Sequence, residues 1–108
     1  MSDFSEFLRE QFAALGTVHV RRMFGGAGLF CDGLMFGLIA DEVLYLKVDE
    51  INRGEFEALE LEPFVYERKG QAVNLSYLRA PEDILDDPDA ALYWGELALA
   101  AAQRGRKT

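Results

Sequence analysis

One cysteine, one histidine and a shortage of positive charge set the first limits on this chain of 108 residues. A single thiol, Cys31, makes no internal disulfide, which fits a reducing compartment. With His19 as the one imidazole, a Cys31/His19 couple is the only nucleophile and base combination available, and no serine stands in a nucleophile-elbow context. Cys31 sits in an apolar run just before an Asp-Gly turn, where cysteine ordinarily behaves as an inert small hydrophobe. No catalytic residue is assigned. Metal chemistry fares no better: Asp83, Asp86, Asp87 and Asp89 gather around a helix start, where the helix dipole favours carboxylates, and no EF-hand spacing accompanies them. Neither a metal nor a cofactor is expected.

Long apolar runs are missing too. Outside the C-terminal segment the longest is Leu34 to Ala40, far short of the roughly 20 residues that span a bilayer, and the start, Met1-Ser2-Asp3-Phe4-Ser5-Glu6, lacks the positive flank and apolar core of a secretory signal. No membrane association and a cytoplasmic location are expected. Eleven basic residues against nineteen acidic ones give a formal charge of -8. Such a surface repels the phosphate backbone that supplies most non-specific nucleic-acid affinity, so direct DNA binding would need a local basic patch. Two stretches qualify: His19 with Arg21 and Arg22, and the tail Arg104-Gly105-Arg106-Lys107, whose default role is solubility.

What the chain does have is periodicity. Phe4, Phe7, Leu8, Phe12 and Leu15 follow helical spacing and Gly16 stands where a helix should stop, so Asp3 to Leu15 is read as a helix whose phenylalanines belong to the core. Thr17 to Phe24 reads as an extended approach too short in apolar pattern to count as a sheet strand. Ala27 to Cys31, Leu34 to Ala40 and Val43 to Val48 then read as a three-strand antiparallel meander, because Asp32-Gly33 suits a type I′ turn, which needs positive φ at both central positions. The middle run shows no alternation, as expected of a strand covered on both faces. After Asp49, a plausible cap, Ile51, Phe56 and Leu59 suggest a short second helix ended by Pro63. Phe64 to Glu67 and Ala72 to Leu78 make two more strands turning at Lys69-Gly70, and Ala80-Pro81-Glu82-Asp83 opens a helical turn. Asp87-Pro88 opens the last helix, to about Gln103, with a capping carboxylate and a proline at the first position.

That last helix is apolar nearly all round. A second apolar face implies a second contact, so Leu92, Tyr93, Trp94, Leu97 and Leu99 are a candidate dimer or partner face; the competing reading is that alanines are good helix formers on a solvated face.

The stretch from Arg21 to Cys31 is the most distinctive. Gly25, Gly26 and Gly28 permit a bend or bulge. A phosphate loop would need a Gly-Lys-Ser/Thr ending and a following helix, so a structural bend is the better reading. Arg21 and Arg22, adjacent in an extended segment, point to opposite faces. Either one pairs with an acidic neighbour while the other is solvated, or they form a small anionic contact site.

With Arg21-Arg22-Met23-Phe24-Gly25-Gly26-Ala27-Gly28-Leu29-Phe30, then Phe36-Gly37-Leu38-Ile39, Leu44-Tyr45-Leu46-Lys47-Val48-Asp49, Pro63-Phe64-Val65-Tyr66, Leu75-Ser76-Tyr77 and Ala80-Pro81-Glu82 in this order, the chain resembles the N-terminal domain of the TfoX/Sxy family of bacterial competence regulators. The resemblance runs from about Arg21 to Ala101. It implies a single α+β domain similar to the type III secretion chaperones, and a role in regulating transcription of DNA-uptake genes together with the cAMP receptor protein. Family members continue into a helical C-terminal domain, which is expected to be absent here. The family transfers no catalytic residue or ligand set, so Arg21, Arg22, Met23, Phe24, Gly25 and Gly26 carry over as motif positions only. The leading expectation is a non-enzymatic regulatory or adaptor domain acting through protein contacts, with a protein partner or as a homodimer. The alternative is direct DNA binding through Arg21, Arg22 and the basic tail, followed by a small-molecule binder or enzyme built on Cys31 and His19.

Overall fold

Alternation of small, apolar and β-branched side chains builds six antiparallel strands, and short polar turns join most of them. The computed structural model of the chain describes residues 3–23, 25–68 and 71–106, with side chains at all of these except 66–68 and 71–75. Strands β1 (Val18–Met23), β2 (Gly26–Cys31), β3 (Leu34–Ala40), β4 (Val43–Lys47), β5 (Pro63–Arg68) and β6 (Gln71–Arg79) form one sheet in the order β1-β2-β3-β4-β6-β5. The helices are α1 (Asp3–Gln11), α2 (Arg53–Glu57), α3 (Asp83–Asp86) and α4 (Pro88–Arg104). The architecture is the expected α+β class, with three departures in detail.

First, the segment read as an extended approach is a strand. Val18 pairs with Cys31 and Val20 with Leu29, so the meander has four strands and β1 forms its free edge. Only two of its apolar positions face the core, too few to announce a strand in sequence. Second, α1 closes at Gln11 and tightens into a 3-10 turn over Ala13–Leu15, where Leu15 donates to the Phe12 carbonyl and Gly16 to the Ala13 carbonyl. Third, α2 is only five residues long, so of the helical triplet Ile51, Phe56 and Leu59 only Phe56 is buried, while Ile51 is 72 % and Leu59 53 % exposed. The other elements fall where the pattern puts them, and the turn expected at Lys69-Gly70 lies outside the described residues.

All the helix residues of the core lie on one side of the sheet. There Leu8, Phe12, Phe56, Ile84, Ala91, Ala98 and Leu99 meet Leu29, Phe36, Ile39, Leu44 and Leu46, each large fully buried side chain contributing roughly 1.5–3 kcal/mol. Phe12 meets Phe36 edge to face at 5.4 Å, and α4 lies close over Phe12 because it carries Gly95 there: a Cβ at that position would stand 3.0 Å from the Phe12 ring. The Asp87 carboxylate caps α4 by accepting from the Asp89 amide at 2.9 Å. A second, smaller cluster occupies the opposite face, with Leu38, Phe64 and Tyr77 buried and Met35, Ala40 and Tyr45 packed around them. Strand β3 is therefore covered on both faces, which accounts for its lack of alternation.

Candidate functional site

Strand alternation splits the Arg21–Cys31 stretch between the two faces of the sheet. Arg21 pairs with Gly28 and lies over the ring of Phe30, 5.3 Å from its centroid, on the face without helices. Arg22 pairs with Ala27, which packs on the helical core. It lines a cleft of about 480 Å³ with Ser5, Gly25, Gly26, Ala27, Ile39, Asp41 and Glu42. Neither arginine forms an ion pair among the described residues. Of the two alternatives, pairing of one arginine with an acidic neighbour is not made among the described residues, and the two side chains lie on opposite faces of the sheet.

The glycines serve the backbone. Gly25 turns at φ 74°, and at Gly26 the chain runs so close to β3 that a Cβ would stand 1.9 Å from the Ile39 carbonyl oxygen. Gly28 is a floor beneath other side chains: a Cβ there would meet Met35 Sδ at 2.8 Å, Phe30 Cε1 at 2.9 Å and Met23 Sδ at 3.1 Å. Arg21, Met23, Gly28 and Phe30 thus form one packed unit on the outer face, with Met35 of β3. Phe24, the remaining motif position, lies outside the described residues.

The outer face continues across the sheet. Leu38 pairs with Tyr45, Tyr45 with Arg79 and Lys47 with Tyr77; Lys47 sits over the Tyr77 ring at 5.3 Å, and Tyr45 meets Phe64 edge to face at 5.1 Å. The Tyr77 hydroxyl reaches from β6 past β4 to donate to the Met35 carbonyl at 3.2 Å, and burial pushes its phenol up to about 12. Strands β1 to β4 hold no aspartate or glutamate at all, and neither do the described side chains of β6. Apart from Glu67 of β5, the carboxylates stand in the helices, turns and loops. Among the described residues the three ion pairs that form hold Arg9 of α1, Arg53 of α2 and Arg104 of α4; Arg21, Lys47 and Arg79 on the outer face have none, and neither has Arg22 on the helical side. The sequence shows the signal, a set of strands without carboxylates, but Lys47, Arg79, Phe30 and Tyr45 gain a common meaning only when the register places them on one face.

Other candidates separate. Cys31 is buried on the helical side, where its thiol is pushed up by burial and by neighbouring Asp32. His19 is exposed on β1 opposite Phe30, so the sheet stands between thiol and imidazole. Among the described residues no three His, Cys, Asp or Glu side chains converge as a metal site would require. The candidate face of α4 has internal occupants: Leu99 is in the core, Trp94 packs edge to face on Phe56 at 4.9 Å, and the Tyr93 hydroxyl donates to Glu55. Leu92 and Leu97 are half-buried, which leaves Tyr93, 49 % exposed, as its one large open side chain. Part of the second apolar stripe of α4, Tyr93 and Trp94, faces α2.

A polar clip that the sequence did not suggest ties the end of α4 to the loop after β4. Asn52, 2 % exposed, donates to the carbonyls of Lys47 at 3.1 Å and Leu97 at 3.0 Å, and accepts from the Asp49 amide at 2.8 Å. The Asp49 carboxylate accepts from the Arg104 guanidinium at 2.6 and 2.9 Å. Arg104, assigned to a basic tail by the sequence, is thus a paired helix residue.

Fold and site together define a small two-layer α+β domain whose distinctive residues lie on an edge strand and the outer face of the sheet. The chain belongs to the TfoX N-terminal domain family, whose model matches residues 10–102. It is similar to Protein Sxy of Escherichia coli, 27 % identical over 100 residues that make up 93 % of this chain and 48 % of that protein. It is also similar to DNA transformation protein TfoX1 of Aliivibrio fischeri, 35 % identical over 68 residues, 63 % of this chain and 32 % of that protein. The chain therefore spans about half or less of these curated relatives. No helix among the described residues is long and apolar enough to cross a membrane.

Proposed function

We propose that this chain is a cytoplasmic regulatory domain of the competence-regulator type, acting without catalysis through protein contacts at its β1 edge, with a partner or a second copy of itself. The observation that carries this reading is the position of β1. It ends the sheet, pairs only with β2 among the described residues and holds the first residues of the family-like motif. An edge strand offers a row of main-chain donors and acceptors to an added strand, and β1 has neither proline nor a bulge to discourage it. The family membership and the name DNA transformation protein carried by one relative support the regulatory part. With Leu99 and Trp94 packed inside the domain, the sheet edge is a better contact than α4.

Sedimentation equilibrium over a concentration series, with hydrogen exchange on the same samples, tests this reading. Self-association that slows exchange of the β1 amides is the expected result for a second copy. A monomer at every concentration, with β1 exchanging as a free edge even beside candidate partner proteins, overturns it.

A further inference from the structure

We infer that the outer face of the sheet is a binding surface for single-stranded nucleic acid. This goes beyond the edge contact proposed above and does not depend on it. Three observations combine. The face carries Arg21, Lys47 and Arg79, which have no carboxylate partner among the described residues, whereas the paired cations stand on helices. Strands β1 to β4 and β6 are free of aspartate and glutamate, so of the acidic residues behind the net charge of -8 all but Glu67 of β5 stand on helices and in turns or loops. Half-buried aromatic rings, Phe30 and Tyr45, alternate with these cations across the strands.

Charge complementarity selects a polyanion, and the rings select its kind. From β1 to β6 the face is four strand spacings wide, roughly 19 Å, enough for on the order of four nucleotides, the small end of single-strand sites. Bases unstacked from a partner strand present π faces to Phe30 and Tyr45, while Arg21 and Lys47, each already over a ring, lie beside the phosphates. A duplex hides its bases and meets a sheet face only through its backbone. An acidic peptide answers the charge but leaves the rings without a stacking partner.

Fluorescence anisotropy with labelled oligothymidine at low salt tests the assignment. Saturable binding is expected, with oligothymidine held more tightly than a duplex of equal length or polyglutamate. Arg21→Glu with Lys47→Glu should weaken it by about tenfold or more and reduce the salt slope by about 0.7 for each phosphate no longer neutralised. Tyr45→Ala should weaken it by about tenfold with the salt slope unchanged. Arg53→Glu, a reversal on the helical side, should leave affinity within about twofold, and circular dichroism melts establish that each variant is folded. No binding at low salt, duplex or polyglutamate bound as tightly as oligothymidine, or equal weakening by Arg53→Glu would each overturn the inference.

Discussion

Asn52, ahead of α2, donates its side-chain amide to the Leu97 carbonyl of α4, 45 positions away in sequence and 3.0 Å away in space. The same side chain serves the Lys47 carbonyl and the Asp49 amide, so one buried residue satisfies three main-chain groups. Asn52→Ala strands those groups and should cost about 2–3 kcal/mol. Asn52→Leu, which restores the volume but not the hydrogen bonds, should do no better. Urea unfolding should show a lower midpoint with an unchanged slope. A loss within about 0.5 kcal/mol would mean the clip is dispensable.

Asp49 gives the domain an acid limb with a predictable sign. The Arg104 guanidinium holds its carboxyl down at about 2, helped by the amides of Asn52 and Ile51 and opposed by burial. The folded state therefore releases this proton more readily than the unfolded chain, whose ordinary value is 3.8. The stabilisation is present in full above the ordinary carboxylate range and is lost as pH falls toward about 2. Arg104→Gln should return Asp49 toward the ordinary range and remove its share of the acid limb. Carbon-detected NMR titration of the Asp49 carboxyl checks the first, and melts across acid pH the second.

The turn between β3 and β4 places two residues with side chains in the left-handed region, Asp41 at φ 51° and Glu42 at φ 59°. The geometry is that of the Asp32-Gly33 turn, where φ is 53° and 77°, but without the glycine that makes the second position inexpensive. Glu42→Gly should therefore raise stability by about 0.5–1 kcal/mol despite the added freedom of the unfolded chain. A higher melting temperature is the expected result, and an unchanged or lower one would show that the Glu42 side chain makes up the difference.

Gly25 and Gly26 are neighbours with different reasons to be glycine. Gly25 has positive φ and open space around it, so Gly25→Ala should cost about 1 kcal/mol. Gly26 has an ordinary φ but no room, since its Cβ would meet main-chain oxygen rather than a side chain that can turn away. Gly26→Ala should cost about 3 kcal/mol or more, or displace β2 from β3. The order of the two losses in chemical denaturation is the decisive readout.

The fold was legible wherever a local rule sufficed. Asp32-Gly33 announces a type I′ turn, Asp87-Pro88 a capped helix start, and the unbroken apolar run of β3 a strand covered twice. What escaped was set by distant partners. Val18 and Val20 form a strand because Cys31 and Leu29 lie beside them, and two apolar positions cannot say so alone. Ile51 and Leu59 imitate a helical stripe although α2 begins after the one and ends before the other. Asn52 reads as an ordinary loop residue until Leu97 arrives opposite it. The motif stretch was identifiable as distinctive, yet its division between two faces, and the grouping of Arg21 with Phe30, Lys47 and Arg79, follow from register, which a one-residue slip would invert.

Tyr77 reports on the outer face directly, because its hydroxyl crosses β4 to the Met35 carbonyl and its phenol is pushed from the usual 10.0 up to about 12 by burial. The raised value means that the folded state keeps the neutral phenol after the unfolded chain has ionised. Its stabilisation is therefore present below the ordinary phenol value and lost as pH rises from there toward about 12. Tyr77→Phe keeps the ring over which Lys47 sits but removes the bond to Met35, and should cost about 1 kcal/mol at neutral pH. In ultraviolet titration the variant should lose a phenol that ionises well above the usual 10.0, and its stability should decline less steeply in strong base. A late phenol that persists in Tyr77→Phe would assign the shift to another tyrosine and place the Tyr77 hydroxyl in water.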